Sequence, residues 1–450
     1  MKRNPALNGM RGSKPAPANV DDNYVFIQQR LAPLPHALRK PRPPPMADFY
    51  PEARKRFPAL QANLPQVFFD NAGGSQTLDT VIESIRTYLC HSNVQLGGSY
   101  AASHRATASY TRAFADAAAF IRASPDEVVF GASATQLLRT LAWTLLRSFA
   151  AGDELVVSAI DHEANIAPWV DLAERAGLVV RWWRPRDALD PELHALDLAP
   201  LLSPRTRLVA CTHASNVLGS VTDIRAISDL AHGVGALVCV DGVAFAPHRP
   251  VDVRALGADF YVFSWYKVYG PHVATLYASW GAQAGMRSLG HFFNPQASLA
   301  DKMGLAAGSY ELCQSVSAVV SYLGDGECGS WGGFEDHEEA LTEALLAYLR
   351  GVPGISIYGK RHVQAARLPI VSFTVEGWDA RELVEAVEAR SHYGLRWGCF
   401  YSNRLVRETL LLKQDGVVRV SLAHYNTMEE VLGLIKILKE VLPLSSERNK

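Results

Sequence analysis

Two apolar runs in the middle of the chain end in residues that packing alone does not call for. Leu237–Val240 leads into Asp241 and Gly242, and Phe260–Phe263 leads into Ser264, Trp265, Tyr266 and Lys267. Each run has the length and composition of a buried strand in a parallel sheet. Open α/β sheets bind ligands just beyond the carboxyl ends of their strands, where this acid and this lysine would stand. The pair suits pyridoxal phosphate. That cofactor takes a lysine as its Schiff-base anchor and a carboxylate to keep its pyridine nitrogen protonated.

The flanking motifs extend the argument. Thr212-His213-Ala214-Ser215-Asn216-Val217-Leu218-Gly219, then Asp241-Gly242, then Ser264-x-x-Lys267-x-Tyr269-Gly270-Pro271 resemble the class V aminotransferase group of fold-type I pyridoxal-phosphate enzymes. The cysteine-desulfurase-like branch is the nearest, and the likeness runs from about Phe68 to the C-terminus. Isopenicillin-N-epimerase-like and loline-pathway enzymes share it.

This resemblance implies a role for each matching position. Lys267 anchors the cofactor and moves protons at the substrate Cα, and Asp241 pairs with the pyridine nitrogen. His162, in Asp161-His162-Glu163, stacks on the ring. Asn216 bonds the phenolic oxygen. Ser133, Thr135, Ser264 and Tyr266 hold the phosphate, with Gly308 and Ser309 reaching the phosphate of a neighbouring subunit. Arg419, in Val418-Arg419-Val420-Ser421, takes the substrate carboxylate, and Asn71 and Arg396 border the same place. Several of these have plain alternatives. Ser133 and Thr135 are common helix caps, Asn216 a common turn former, Arg419 an ordinary ion-pair partner, and His162 a capping residue.

The chain also departs from the pattern. Ser133 stands where the family has Gly, and Ala134 where it has Thr. Tyr266 replaces a His and Ala244 a Gln. Desulfurases carry a persulfide cysteine on a loop after Arg396. Here Leu395-Arg396-Trp397-Gly398-Cys399-Phe400-Tyr401 puts Tyr401 at that place and Cys399 two residues early. A free Cys is more often a small buried hydrophobe. The expected chemistry is therefore action at Cα or Cβ of an amino acid, C–S or related lyase chemistry without a persulfide, with His162 or Tyr401 as the acid. Desulfuration through Cys399, an epimerase, decarboxylase or cyclase activity, and a catalytically silent scaffold are the alternatives.

The elements that must position these residues follow from pattern. Strand-like runs at Glu127–Phe130, Leu155–Ser158, Leu178–Trp183 and Leu208–Cys211 alternate with helical stretches up to Tyr277. This predicts βα units and a mainly parallel, seven-stranded type of sheet in a large domain. Ala101–Ser124 and Glu335–Arg350 read as helices. Beyond Tyr277 the pattern loosens, and Ala307–Glu311 read as loop. A smaller α/β C-terminal domain is expected, with strands at Ile355–Tyr358 and Ile370–Val375 and helices at Ala380–Ala389 and Met428–Val441. The expected division is a Pro-rich, basic, disordered extension at 1–45, the large domain at 46–310, and a linker with the small domain at 311–450.

Composition bounds the rest. The 450 residues are 48% hydrophobic and 20% charged with a net charge of −1, the balance of a soluble globular protein with nothing that points to nucleic acid or an anionic membrane. Cys90, Cys211, Cys239, Cys313, Cys328 and Cys399 show no paired spacing and read as reduced thiols of a cytoplasmic protein. No metal is expected. The resemblance implies a homodimer acting on a small amino-acid substrate.

Overall fold

The computed structural model describes residues 53–442 except 189, 306–307, 325–330, 364–366 and 413–414. The expected extension at 1–45, Ala307 and Cys328 lie outside the described residues. A short strand, β1 (Val67–Phe68), pairs in parallel with Tyr393–Gly394. Helices α1 (Asp79–His91) and α2 (Ala101–Phe120) follow. The expected extension of α2 to Ser124 fails. Arg122 adopts φ 58° and the Ala123 N–H turns back to the Ala118 carbonyl at 2.8 Å, which ends the helix.

The central sheet contains β2 (Val128–Gly131), β3 (Glu154–Ser158), β4 (Val179–Trp183), β5 (Thr206–Thr212), β6 (Leu237–Asp241), β7 (Phe260–Ser264) and β8 (Ala274–Ala278). Their order is β2-β8-β7-β6-β5-β3-β4, and only β8 runs antiparallel to its neighbours. The inner strands β3, β6 and β7 read as largely apolar runs because both of their faces are covered, whereas the edge strand β4 carries Arg181 and is partly exposed. Val156, Val209, Val238 and Val240 belong to one core. Leu155, Val157, Leu208 and Ala210 belong to the core on the other face. Helices α3 (Ala134–Leu145), α4 (Ala167–Ala176) and α5 (Ile224–Gly233) connect the strands. Ser133 caps α3 and Asp223 caps α5, each accepting a backbone N–H. Gly177 closes α4 at φ 66°, a left-handed conformation that glycine takes without strain.

Two later helices differ from expectation. α6 (Tyr310–Gly324) begins inside the stretch read as loop, and its buried Val316, Val319 and Leu323 join the core of the central sheet. α7 (Trp331–Arg350) starts before Glu335 and passes through the Gly-Gly pair. Trp331 there packs edge-on against Phe334, at 5.8 Å between ring centroids.

A second sheet is antiparallel throughout. It contains β9 (Ile355–Tyr358), β10 (Ile370–Val375), β12 (Arg396–Gly398) and β13 (Val417–Ser421), in the order β12-β13-β10-β9, while β11 (Tyr393–Gly394) is the partner of β1. Helices α8 (Ala380–Glu388) and α9 (Met428–Val441) share its core through Leu383, Val384, Leu434 and Leu438. Phe69 is buried in that same core. The Ser421 N–H bonds the Phe69 carbonyl at 2.7 Å, so the segment after β1 is laid against the end of β13. Among the described residues no helix is long and apolar enough to cross a membrane.

Candidate active site

A cavity of about 490 Å³ opens beyond the ends of β5, β6 and β7 and is lined by Ser133, Thr135, His162, Asn216, Asp241, Ser264, Tyr266 and Lys267. Asp241 is the last residue of β6 and Ser264 the last of β7. Lys267 ends the single 3-10 turn that follows. Its side chain is buried, and burial first, then the Arg419 guanidinium, pulls its pKa down to about 8 while Asp241 and Asp70 pull the other way. Burial raises the Asp241 pKa, against the pull of the Val243 N–H, which bonds Oδ1 at 2.9 Å, and of Lys267.

His162 follows β3 and caps the next 3-10 turn. Its Nδ1 accepts the Ala164 N–H at 3.1 Å, which leaves the proton of a neutral ring on Nε2. Burial, then Lys267 and Arg419, lowers its pKa to about 4. The ring is therefore neutral near pH 7. Tyr266 stacks on His272 at 4.8 Å between centroids, with the planes 5° apart. Ala244 lines the same cavity.

The residues fit pyridoxal phosphate. A buried lysine and a buried carboxylate face one cavity, and the N-terminus of α3, with Ser133 and Thr135, opens onto it as a helix end suited to a phosphate.

Arg419 stands in the middle of β13 at 2% exposure. Its NH1 donates to the Asn216 carbonyl at 3.0 Å and its NH2 to Asp70 Oδ1 at 2.6 Å. The Phe400 ring lies under the guanidinium at 3.8 Å. Arg396 reaches the other Asp70 oxygen at 3.1 Å. Sequence reasoning placed the Asn71 loop at the site but passed over Asp70.

The segment 399–402 is held from several sides. The Asn216 amide donates to the Phe400 carbonyl at 3.0 Å, and Ser402 Oγ donates back to Asn216 Oδ1 at 3.1 Å. The Glu163 N–H bonds the Tyr401 carbonyl at 2.8 Å, and Arg404 pairs with Glu163 at 2.7 Å. Phe400 and Tyr401 both take left-handed backbone, at φ 51° and 59°. The Tyr401 ring sits 5.2 Å from the His162 ring, with the tyrosine side open to solvent. Cys399 is partly exposed and does not line the cavity.

Asn71 makes its contacts within the chain. The Asn71 amide nitrogen donates to the Phe68 and Ser421 carbonyls and to Asn426 Oδ1, and its oxygen accepts from Tyr425. These contacts tie β1 to β13. Gly308 and Ser309 line a separate cavity with Tyr110, Gln136 and His272 rather than the one around Lys267. Asn216 likewise gives one of its two amide N–H groups to Phe400.

Comparison with known proteins agrees with this arrangement. Residues 67–434 match the family model for class V aminotransferases. The chain is 51% identical to the aminotransferase-like protein FGM3 of Gibberella zeae, over 86% of this chain and 97% of that protein. It is 39% identical to the cysteine desulfurase-like protein ustD of Aspergillus flavus, over 86% and 90%. Its fold superposes on a cysteine desulfurase from Thermococcus onnurineus with a TM-score of 0.79 at 24% identity, over 90% of this chain and 99% of that one. The chain belongs to the class V aminotransferase family of pyridoxal-phosphate enzymes.

Proposed function

We propose that this enzyme is a lyase acting at Cα and Cβ of an α-amino acid, of the C–S or a related type, without a cysteine persulfide. The observation that carries the reading is the fastening of segment 399–402. A persulfide carrier must swing its sulfur to the substrate, and the peptide around Cys399 is tied to Asn216, Glu163 and Arg419 instead.

Pyridoxal phosphate, held by Lys267 and Asp241, supplies an electron sink for charge that develops at Cα. The residues do the remaining work. Arg419 fixes the substrate carboxylate and thereby the orientation of the Cα–H bond. Lys267, its ammonium disfavoured by burial, takes up the Cα proton as a neutral amine. The Tyr401 hydroxyl stands as the acid toward a leaving group on Cβ, and the neutral His162 ring beside it offers its Nε2–H as a hydrogen-bond donor. Asn216, Ser133, Thr135, Ser264 and Tyr266 hold the cofactor, with Gly308 and Ser309 completing the phosphate site of a partner subunit in a cytoplasmic homodimer. In the same reading residues 46–310 form the cofactor domain and 311–450 the linker and small domain.

The test is the visible spectrum of the cofactor-loaded protein during titration with an amino-acid panel, followed by product analysis. Cys399→Ala should leave turnover intact. If that variant loses sulfide release from L-cysteine in the presence of a reductant, the enzyme is a desulfurase working through Cys399 and the lyase reading fails.

A further inference from the structure

We infer that Asp70 is a specificity-determining residue, which sets the charge of the substrate-carboxylate site so that it accepts amino acids with one carboxylate and rejects those with two. The inference rests on the reading that Arg419 receives the substrate carboxylate.

Arg396 and Arg419 are direct partners across the antiparallel β12–β13 pair. Like charges directly opposite each other destabilise a sheet, so strand packing gives no reason for this pairing. Asp70 answers it by bridging both guanidiniums, Oδ1 to Arg419 at 2.6 Å and Oδ2 to Arg396 at 3.1 Å. The bridge is built from distant chain. Asp70 is brought there by its bridge pairing with Ser421, two residues beyond Arg419 on the same strand. The following loop is cut to fit the carboxylate. A Cβ on Gly73 would stand 2.8 Å from Asp70 Oδ2 and 3.1 Å from Cγ.

Two guanidiniums and one carboxylate leave one positive charge over. Arg419 is nearly fully buried, and its Nε has no partner among the described residues. That donor is free for one incoming carboxylate beside Asp70. A second carboxylate on the same ligand would find the Arg396 charge offset by Asp70, which Arg396 already holds through one N–H, and would face the Asp70 charge itself across a partly desolvated site. Discrimination by a repulsive group of this kind works without any added contact to the preferred ligand.

The experiment uses the cofactor-loaded full chain and three probes: L-alanine, L-aspartate, and L-alaninamide, which lacks the carboxylate. Apparent Kd values are read from the spectral response, and cofactor content and thermal midpoint report folding. The wild type should favour L-alanine over L-aspartate. Asp70→Asn keeps an acceptor for Arg419 and removes the charge. It should shift the L-aspartate to L-alanine ratio toward L-aspartate by about tenfold or more, an effect that shrinks at high salt, and leave L-alaninamide unchanged. Asp70→Glu should restore the wild-type ratio. An unchanged ratio in Asp70→Asn, or an equal shift for all three probes, overturns the inference and makes Asp70 a structural tie. Arg419→Ala separates the two readings. If it leaves L-alanine binding intact, the carboxylate reading itself fails. If it weakens L-alanine while Asp70→Asn leaves the ratio alone, only the Asp70 inference fails.

Discussion

Replacing Ser402 by Ala tests whether segment 399–402 is fastened as described. Ser402 is 1% exposed, and its hydroxyl donates to Asn216 Oδ1 at 3.1 Å. The substitution removes that bond and leaves a buried amide oxygen without a donor, at a cost of about 1–3 kcal/mol. The segment already stores strain. Phe400 and Tyr401 are consecutive non-glycine residues in left-handed backbone, at roughly 1–2 kcal/mol each. The released strain and the lost bond push the same way. Taking about 2 kcal/mol for the bond, the open population of the segment should rise about thirtyfold. Hydrogen–deuterium exchange can read this directly. The Ser402 N–H is protected by the Cys399 carbonyl at 2.8 Å, and the Glu163 N–H by the Tyr401 carbonyl. Both amides should exchange about thirtyfold faster in Ser402→Ala, while amides of β5, β6 and β7 keep their protection and the cofactor stays bound. Unchanged exchange at those two amides would mean that Asn216 and Ser402 do not fasten the segment. The argument against a swinging Cys399 would fall with it.

Lys267 gives a pH prediction. Its folded pKa is about 8 against an ordinary 10.5, so the unfolded chain binds the extra proton between those values. Stability of the cofactor-free protein should therefore rise by about 3 kcal/mol from pH 8 to 10.5, with no contribution from Lys267 to the slope below that window; Lys267→Met should flatten this slope in urea titrations. His162→Gln should lower turnover about 10²–10⁴-fold with the Kd for amino acids little changed, whereas a matching loss of binding would point to a positioning role. Gly73→Ala sets a Cβ against the Asp70 carboxylate and should loosen the hold of Asp70 on both arginines, seen as a change in the L-aspartate to L-alanine ratio with cofactor content unaltered.

The parts of this site built on strand ends were legible in the sequence. A buried strand shows itself as a continuous apolar run, and Asp241 and Ser264 stand out because they end such runs. The helix at Tyr310–Gly324 was not legible, because Ser315 interrupts the buried face that Cys313, Val316 and Val319 form. The antiparallel setting of β8 was equally hidden, since strand direction depends on the path of the connection and not on the strand. The Asp70 bridge could not be read at all. It joins residues 326 and 349 positions apart, and nothing local distinguishes a carboxylate that meets two arginines from one that meets solvent. The contacts of Asn71 with Ser421, Tyr425 and Asn426 were hidden for the same reason, lying more than 340 positions away.

Those long-range contacts divide the labour between the two sheets. The central sheet supplies the lysine and the acid from the ends of adjacent strands. The antiparallel sheet supplies Arg419, and the segment after β1 supplies Asp70. The two halves meet electrostatically at Lys267, where Arg419 lowers the pKa and Asp70 and Asp241 raise it. On the proposed reading, in which Arg419 receives the substrate carboxylate, that carboxylate adds a negative charge beside the guanidinium and offsets part of its effect on the lysine. The amine then becomes a stronger base when a substrate carboxylate is in place, and a weaker one when it is not. Base strength at Cα is in this way tied to occupancy of the arginine, and the charge that Asp70 contributes sets the level from which that change starts.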